Sequence, residues 1–252
     1  MGRAVERVAA QLRRSRRVLF ITGAGLSADS GMPTYRGVGG IYDRGLTEEG
    51  IPIEEAVSGP MMARRPEVCW KYIHEIARVS RGAGPNRGHE VIALLERHLG
   101  EVWVLTQNVD GLHRRAGSTR IIDIHGDVSQ LLCTVCSWRR SVTDYGELAP
   151  LPRCPDCDAV VRPDVVLFGE MLPVGKLALL RRELARGFDA VFSVGTSSLF
   201  PYIAEPVVAA SRAGIFTVEV NPETTVVSPF VEVALRTGAA RALDAVMQRF
   251  LA

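Results

Sequence analysis

An apolar run at residues 18–21, Val-Leu-Phe-Ile, stops abruptly at Gly23-Ala24-Gly25, and this junction limits what the chain can fold into. Four bulky residues without polar alternation suit a strand covered on both faces, as in a parallel sheet flanked by helices. The pattern recurs. Residues 102–105, 121–124, 189–194 and 216–220 are short and apolar, and each gives way to small or polar residues. Helical spacing fills intervals at 4–12, 89–99, 174–186 and 202–212. Strands alternating with helices predict an α/β fold built on a doubly wound parallel sheet. Ligands of such sheets bind beyond the carboxyl ends of the strands, so the residues there are the candidate site.

Those strand ends are polar in turn. The first leads into a glycine-rich loop followed by Ser27, Asp29 and Ser30, whose helix-capping chemistry would aim the N–H groups of a short helix at a pyrophosphate. The spacing is Gly-x-Gly-x-Ser and lacks the third glycine of the usual dinucleotide fingerprint, so taken alone it also fits a plain strand-to-helix turn. The second strand ends at Thr106-Gln107-Asn108-Val109-Asp110, the third at His125-Gly126, the fourth at Gly195-Thr196-Ser197-Ser198 and the last at Asn221-Pro222.

Two segments interrupt the alternation and together suggest a smaller domain. Residues 37–59 read as a glycine-rich loop covering a ligand. Residues 60–79 carry Met61, Met62, Val68, Trp70, Ile73, Ile76 and Ala77 at helical spacing, which predicts a core-facing helix. The other interruption holds Cys133-x-x-Cys136 and Cys154-x-x-Cys157, separated by seventeen residues, the spacing of a structural zinc site with two knuckles. Four thiolates close the coordination and leave no open position for a substrate, so the metal is assigned to folding. Cys69 stands apart and reads as a small core residue. Beyond the cysteines, residues 162–167 return to the sheet and lead into Phe168-Gly169-Glu170.

Thirty Lys+Arg against 28 Asp+Glu leave a formal net charge of +2, which gives no field for nucleic acid. The run Arg13-Arg14-Ser15-Arg16-Arg17 reads as a solvated face. A zinc-ribbon binding module without catalysis would need a basic, aromatic-rich surface, for which Trp138-Arg139-Arg140 is the one hint. No apolar stretch approaches the roughly twenty residues that cross a bilayer, and the first residues lack a secretory pattern, so a cytoplasmic, membrane-free protein is expected. The oligomeric state is left open, a monomer included.

The motifs GAGLSADSG, PTYRG, TQNVDGLH, IHG, the two C-x-x-C pairs, VLFGE, GTSS and EVN occur in this order over nearly the whole chain, and in this they resemble the sirtuins, the NAD-dependent protein deacylases. The resemblance implies a Rossmann-like NAD-binding domain, here residues 1–36, 91–126 and 159–252. A small zinc-ribbon and helical domain would comprise residues 37–90 and 127–158, with NAD and an acyl-lysine protein or peptide meeting between the two. It implies that Gly23, Ala24, Gly25 and Ser27 hold the pyrophosphate and that Arg36 lies near the nicotinamide ribose. Gln107, Asn108 and Asp110 would surround the nicotinamide half, with Gly195, Thr196, Ser197, Asn221 and Ala239 around the adenosine half. His125, with Asn108 beside it, would be catalytic: nicotinamide leaves, and the histidine deprotonates a ribose hydroxyl that then takes the acyl group. Val166, Phe168 and Gly169 would receive the substrate as an added strand. The remaining histidines, His74, His89, His98 and His113, are read as structural.

Two departures bear on the acyl group. The common family pattern Ile-Pro-Asp-Phe-Arg is here Met32-Pro33-Thr34-Tyr35-Arg36, and Thr34 resembles the branch that removes succinyl and malonyl groups. That branch binds the acyl carboxylate with a Tyr-x-x-Arg pair, and counting back from Pro85-Asn86 without a gap puts Ile73 and Ile76 there. A carboxylate facing two isoleucines lacks a charge partner. Acetyl or longer apolar acyl groups are therefore expected, whereas a shifted register would bring in Tyr72 and Arg78 and restore the acidic reading. Transfer of ADP-ribose to a protein side chain is the rival reaction of the same cofactor site.

Overall fold

A computed structural model of the chain describes residues 2–32, 46–79 and 82–252. Its centre is a six-stranded parallel sheet in the order β3-β2-β1-β7-β8-β9. These strands are β1 (Arg17–Thr22), β2 (Glu101–Thr106), β3 (Ile121–Asp123), β7 (Ala190–Val194), β8 (Phe216–Val220) and β9 (Val233–Leu235). The chain runs outward through β2 and β3 on one side of β1 and through β7, β8 and β9 on the other. The order reverses next to β1, where an open sheet forms its ligand crevice.

Period-two alternation divides β1 between two cores, as a strand buried on both faces requires. Val18 and Phe20 face the helices α1 (Gly2–Leu12), α6 (Arg87–His98) and α10 (Ala239–Leu251), while Leu19 and Ile21 face α8 (Val174–Ala185) and α9 (Pro201–Arg212). Phe20 stacks on Phe192 of β7 with ring centroids 4.6 Å apart. All six residues of β1 except Arg17 are fully buried. Arg17 was expected on a solvated face with Arg13, Arg14 and Arg16; instead its guanidinium turns inward to Glu183 and Glu101, because the buried Glu183 carboxylate needs a cationic partner.

A second sheet, order β5-β4-β6, is antiparallel and consists of β4 (Gly126–Cys133), β5 (Arg139–Ser141) and β6 (Val161–Val165). This corrects the expectation that residues 162–167 rejoin the main sheet. They pair with β4, and Val161 and Leu167 bury themselves in a third core with Trp70, Ile73, Met61 and Met62. The Trp70 indole N–H donates to the carbonyl of Val161 at 2.8 Å and ties helix to strand. The helical stretch 60–79 is two helices, α4 (Gly59–Arg64) and α5 (Pro66–Val79), since Pro66 cannot continue a preceding helix. Within the expected loop 37–59, residues 46–59 contain a bridge between Leu46 and Pro52 and a one-turn helix, α3 (Ile53–Ala56). The rest of that loop lies outside the described residues. Among the described residues no helix is long and apolar enough to cross a membrane.

Candidate active site at the strand ends

The glycine loop is held by backbone, with side chains excluded. Gly25 N–H donates to the carbonyl of Gly195 at 2.8 Å, and Gly195 N–H donates to that of Val220 at 2.9 Å. A Cβ on Gly195, which sits at φ +59°, would lie 2.3 Å from the Leu26 nitrogen, and one on Gly23 would lie 2.8 Å from Thr196 Cβ. The ends of β1 and β7 therefore meet main chain to main chain, and only glycine permits it. The short helix α2 (Ala24–Ser27) has no side-chain cap. Ser27, Asp29 and Ser30, expected to cap it, reach other segments instead. Ser27 Oγ donates to Asp110 at 2.7 Å, Asp29 accepts from the Ala240 N–H at 3.0 Å, and Ser30 accepts from Asn86 at 2.9 Å. A single turn whose neighbours lie this close satisfies these groups across the fold.

From β2, Gln107 Nε2 donates to Thr196 Oγ1 at 2.7 Å, and the Asn108 amide donates to Gly23 O at 3.1 Å and Ser27 Oγ at 3.0 Å. Burial raises the pKa of Asp110 above the usual carboxylate value, against the opposing hydrogen bonds from Leu112 N–H and Ser27. From β8, the Asn221 amide donates to Thr196 O at 3.2 Å, while Ser197 is exposed. Ala239 is buried at the first turn of α10, next to the Ala240 N–H that Asp29 accepts. Gly23, Ala24, Gly25, Ser27, Gln107, Asn108, Asp110, Gly195, Thr196, Ser197 and Asn221 thus lie on the ends of four neighbouring strands. Arg36, Thr34 and Tyr35 lie outside the described residues.

His125 follows β3 and is fixed at both ring nitrogens. Nδ1 lies 3.0 Å from the Gln107 carbonyl and Nε2 lies 2.6 Å from the Tyr202 hydroxyl. A carbonyl only accepts, so Nδ1 carries the proton and Nε2 is the basic position. Burial pulls the pKa of His125 below 6.5, with Lys176 adding to the effect and the Gln107 carbonyl opposing it. Lys176 donates to the Asp123 backbone carbonyl at 2.7 Å and so ties α8 to the strand that carries His125. The sequence marks Tyr202 only as the first residue of the helix expected over 202–212, two residues after Phe200 and following GTSS, with no sign of a role at the site.

The segment beyond β6 runs past this histidine. Val166 N–H donates to the His125 carbonyl at 2.8 Å, while Phe168 N–H donates to Val57 at 3.2 Å and its carbonyl accepts from Gly59 at 2.9 Å. Glu170 turns back to accept from Leu167 N–H at 2.9 Å and from Arg162 Nη2 at 2.9 Å, which clamps the turn through the exposed Gly169.

The four cysteines converge at one point, their sulfurs all within 4.8 Å of one another. The Cys133–Cys157, Cys136–Cys154 and Cys136–Cys157 sulfurs are 3.5, 3.6 and 3.6 Å apart. A zinc–sulfur bond of about 2.3 Å gives a tetrahedron with edges of about 3.8 Å, while a disulfide would require about 2.05 Å. The donor set fits zinc. Cys69 is buried in the core, as expected.

A model of the Sir2 family matches residues 23–200. The chain is 54% identical over 246 residues to a Pseudomonas aeruginosa protein named NAD-dependent protein deacylase 2, covering 96% of this chain and 94% of that one. It is 36% identical over 241 residues to the NAD-dependent protein deacylase 1 of Archaeoglobus fulgidus, covering 95% of each. Among solved structures, a Sir2 homologue in complex with NAD superposes with a TM-score of 0.86 at 34% identity, covering 98% of this chain and 93% of that one. A Sir2 protein bound to a myristoylated histone peptide superposes with a TM-score of 0.78 at 32% identity, covering 99% and 97%.

Proposed function

The chain belongs to the Sir2 family and is an NAD-dependent protein deacylase acting on acyl-lysine, and on that premise we propose which of its residues do the work and which acyl groups it removes. NAD, when bound, accepts the acyl group on its ADP-ribose part and gives up nicotinamide. The glycine loop of residues 23–25, with Ser27, binds the pyrophosphate, a reading supported by its place at the carboxyl end of β1, where the strand order reverses. Gln107, Asn108 and Asp110 orient the nicotinamide half; Thr196, Ser197, Asn221, Gly195 and Ala239 flank the adenosine half, and Arg36 belongs to the loop beside the ribose. Val166, Phe168 and Gly169 receive the acylated peptide.

His125 is the general base, and the observation that carries this reading is the Gln107 carbonyl accepting from Nδ1 at 3.0 Å. That bond selects the tautomer with its lone pair on Nε2, and burial keeps the ring neutral near pH 7, so Nε2 can take a proton from a substrate hydroxyl. The four cysteines hold a structural zinc that stabilises the second sheet. Separate cores support a two-domain division. The packing of α6 with the parallel sheet and of residues 161–167 with Trp70 favours boundaries near 86/87 and 170/171 over those read from the sequence.

For the acyl group we favour acetyl or a longer apolar chain. Ile73 and Ile76 sit in the apolar core of the second domain, Tyr72 Oη already pairs with Glu49, and Arg78 is exposed, which leaves an acyl carboxylate without a cation from α5. Acetyl-, myristoyl- and succinyl-lysine peptides compared at saturating NAD, with nicotinamide release followed, test this. Acetyl or myristoyl turnover should exceed succinyl turnover by about tenfold or more, the cost of roughly 1.4 kcal/mol for an unpaired charge, whereas faster desuccinylation would reverse the assignment.

A further inference from the structure

The bond that identifies Nε2 as the base also leaves it covered. With Nδ1 donating to Gln107, Nε2 is an acceptor, and at 2.6 Å the hydroxyl of Tyr202 must be its donor. Burial raises the Tyr202 phenol to about 12, so the hydroxyl keeps its proton at neutral pH. Tyr202 is held in place by its surroundings. Its ring stacks on Phe200 at 5.5 Å and 15° and meets His125 edge-on at 6.0 Å, while Pro201 fixes the backbone at the first position of α9. Swinging the phenol away from Nε2 would break the short hydrogen bond and both ring contacts together. Among the described residues Oη has no other partner, and the side chain is half-buried, so an oxygen lone pair remains open to a substrate hydroxyl.

We propose that Tyr202 is a catalytic residue that relays the proton from the substrate hydroxyl to His125. The substrate O–H bond breaks as that proton moves to Oη, and the Tyr202 O–H bond breaks as its own proton moves to Nε2. The phenol ends neutral, the imidazole ends as imidazolium, and the substrate oxygen is left with the electron pair it needs for attack on the acyl carbon. No tyrosinate forms, which is consistent with the raised phenol pKa. The proposal rests on His125 being the base, and the test separates the two claims.

Tyr202→Phe keeps the ring and its stack, so it isolates the hydroxyl. In the substrate-free protein, nitrogen NMR of His125 should show the Nε2 resonance moving when the hydroxyl is removed while Nδ1 stays protonated; an unmoved resonance overturns the hydrogen bond and the relay with it. In turnover of an acetyl-lysine peptide, Tyr202→Phe should lower kcat by about 10²-fold, within the range a positioned proton-transfer group contributes, with KM for NAD within threefold. Exchange of labelled nicotinamide into NAD should persist, because it precedes the proton transfer. A proton inventory in mixed light and heavy water should curve for the native enzyme, two protons being in flight, and be linear for Tyr202→Phe. An unchanged kcat with a lowered KM would mean the phenol is merely displaced by substrate and would refute the relay. An active His125→Ala variant would instead refute the base assignment beneath it.

Discussion

Two histidines follow adjacent strands of the parallel sheet, and their surroundings differ in the respect that matters for chemistry. His125, after β3, is half-buried, has a partner at each ring nitrogen, and meets at Nε2 a hydroxyl whose oxygen is still open. His113, after β2 on α7 (Leu112–Ala116), is 2% exposed; its Nε2 meets Thr22 Oγ1 at 2.9 Å and its Nδ1 has no hydrogen-bond partner among the described residues. Its ring lies edge-on to His89 at 4.9 Å, and His89 Nε2 likewise has no hydrogen-bond partner among the described residues. Burial lowers the pKa of all three. Being neutral at pH 7 therefore does not make a histidine catalytic. What separates the two regions is whether the basic nitrogen meets a group still open to a substrate, and this contrast can be attacked from both sides.

The largest effect is expected on turnover. His125→Ala should lose about 10²–10⁴-fold in kcat with an unmoved melting temperature. His113→Ala should do the reverse, losing about 3 kcal/mol of stability in urea titrations through the cavity and the stranded Thr22 hydroxyl while keeping activity per folded molecule. If His113→Ala abolishes turnover without destabilising, the contrast fails.

Acid comes next. His89, held down to about 4 by burial, and His113, which burial also drives well below the ordinary imidazole value, bind protons less readily folded than unfolded. Their contribution is fully present above the unfolded value near 6.5 and is lost as pH falls below it, at up to about 1.4 kcal/mol per pH unit for each histidine. Urea midpoints between pH 7.5 and 4.5 should follow this, and His89→Gln should flatten the slope. The acid limb of kcat/KM, reporting His125, should likewise have its midpoint below 6.5 and be level from pH 7 to 8, since the neutral imidazole is the working form. The smallest effect belongs to Thr22→Val, which removes the hydroxyl that His113 Nε2 meets and should cost about 1 kcal/mol without changing the pH profile of turnover.

The parallel sheet was legible because a strand buried on both faces leaves an apolar run of the kind seen at residues 18–21, and the cysteine centre because its ligands come in fixed spacings. Less local facts were not legible. Residues 162–167 read as another strand of the parallel sheet, but nothing in their composition says which sheet they join; that depends on β4, with which residues 161–165 pair. The partners of Ser27, Asp29 and Ser30 are distant in sequence, so capping was the natural inference from neighbours alone. Tyr202 stands outside every motif that pointed to the site, and its role follows from where α9 begins relative to β3. Motifs mark the groups proposed to touch the cofactor, while the group touching His125 is set by packing.

The contact between Gly25 and Gly195 has a practical consequence for anyone wishing to fit this enzyme to a modified cofactor. Pockets are usually widened by shaving a side chain, but Gly25 and Gly195 touch main chain to main chain and neither carries a side chain to remove. On the proposed placement of the pyrophosphate at this loop, a bulky group there has no complementary hole to be cut for it. Trimmable aromatic rings stand instead beside His125, where Phe200 and Tyr202 pack, and a redesign there would act on the proposed proton path itself.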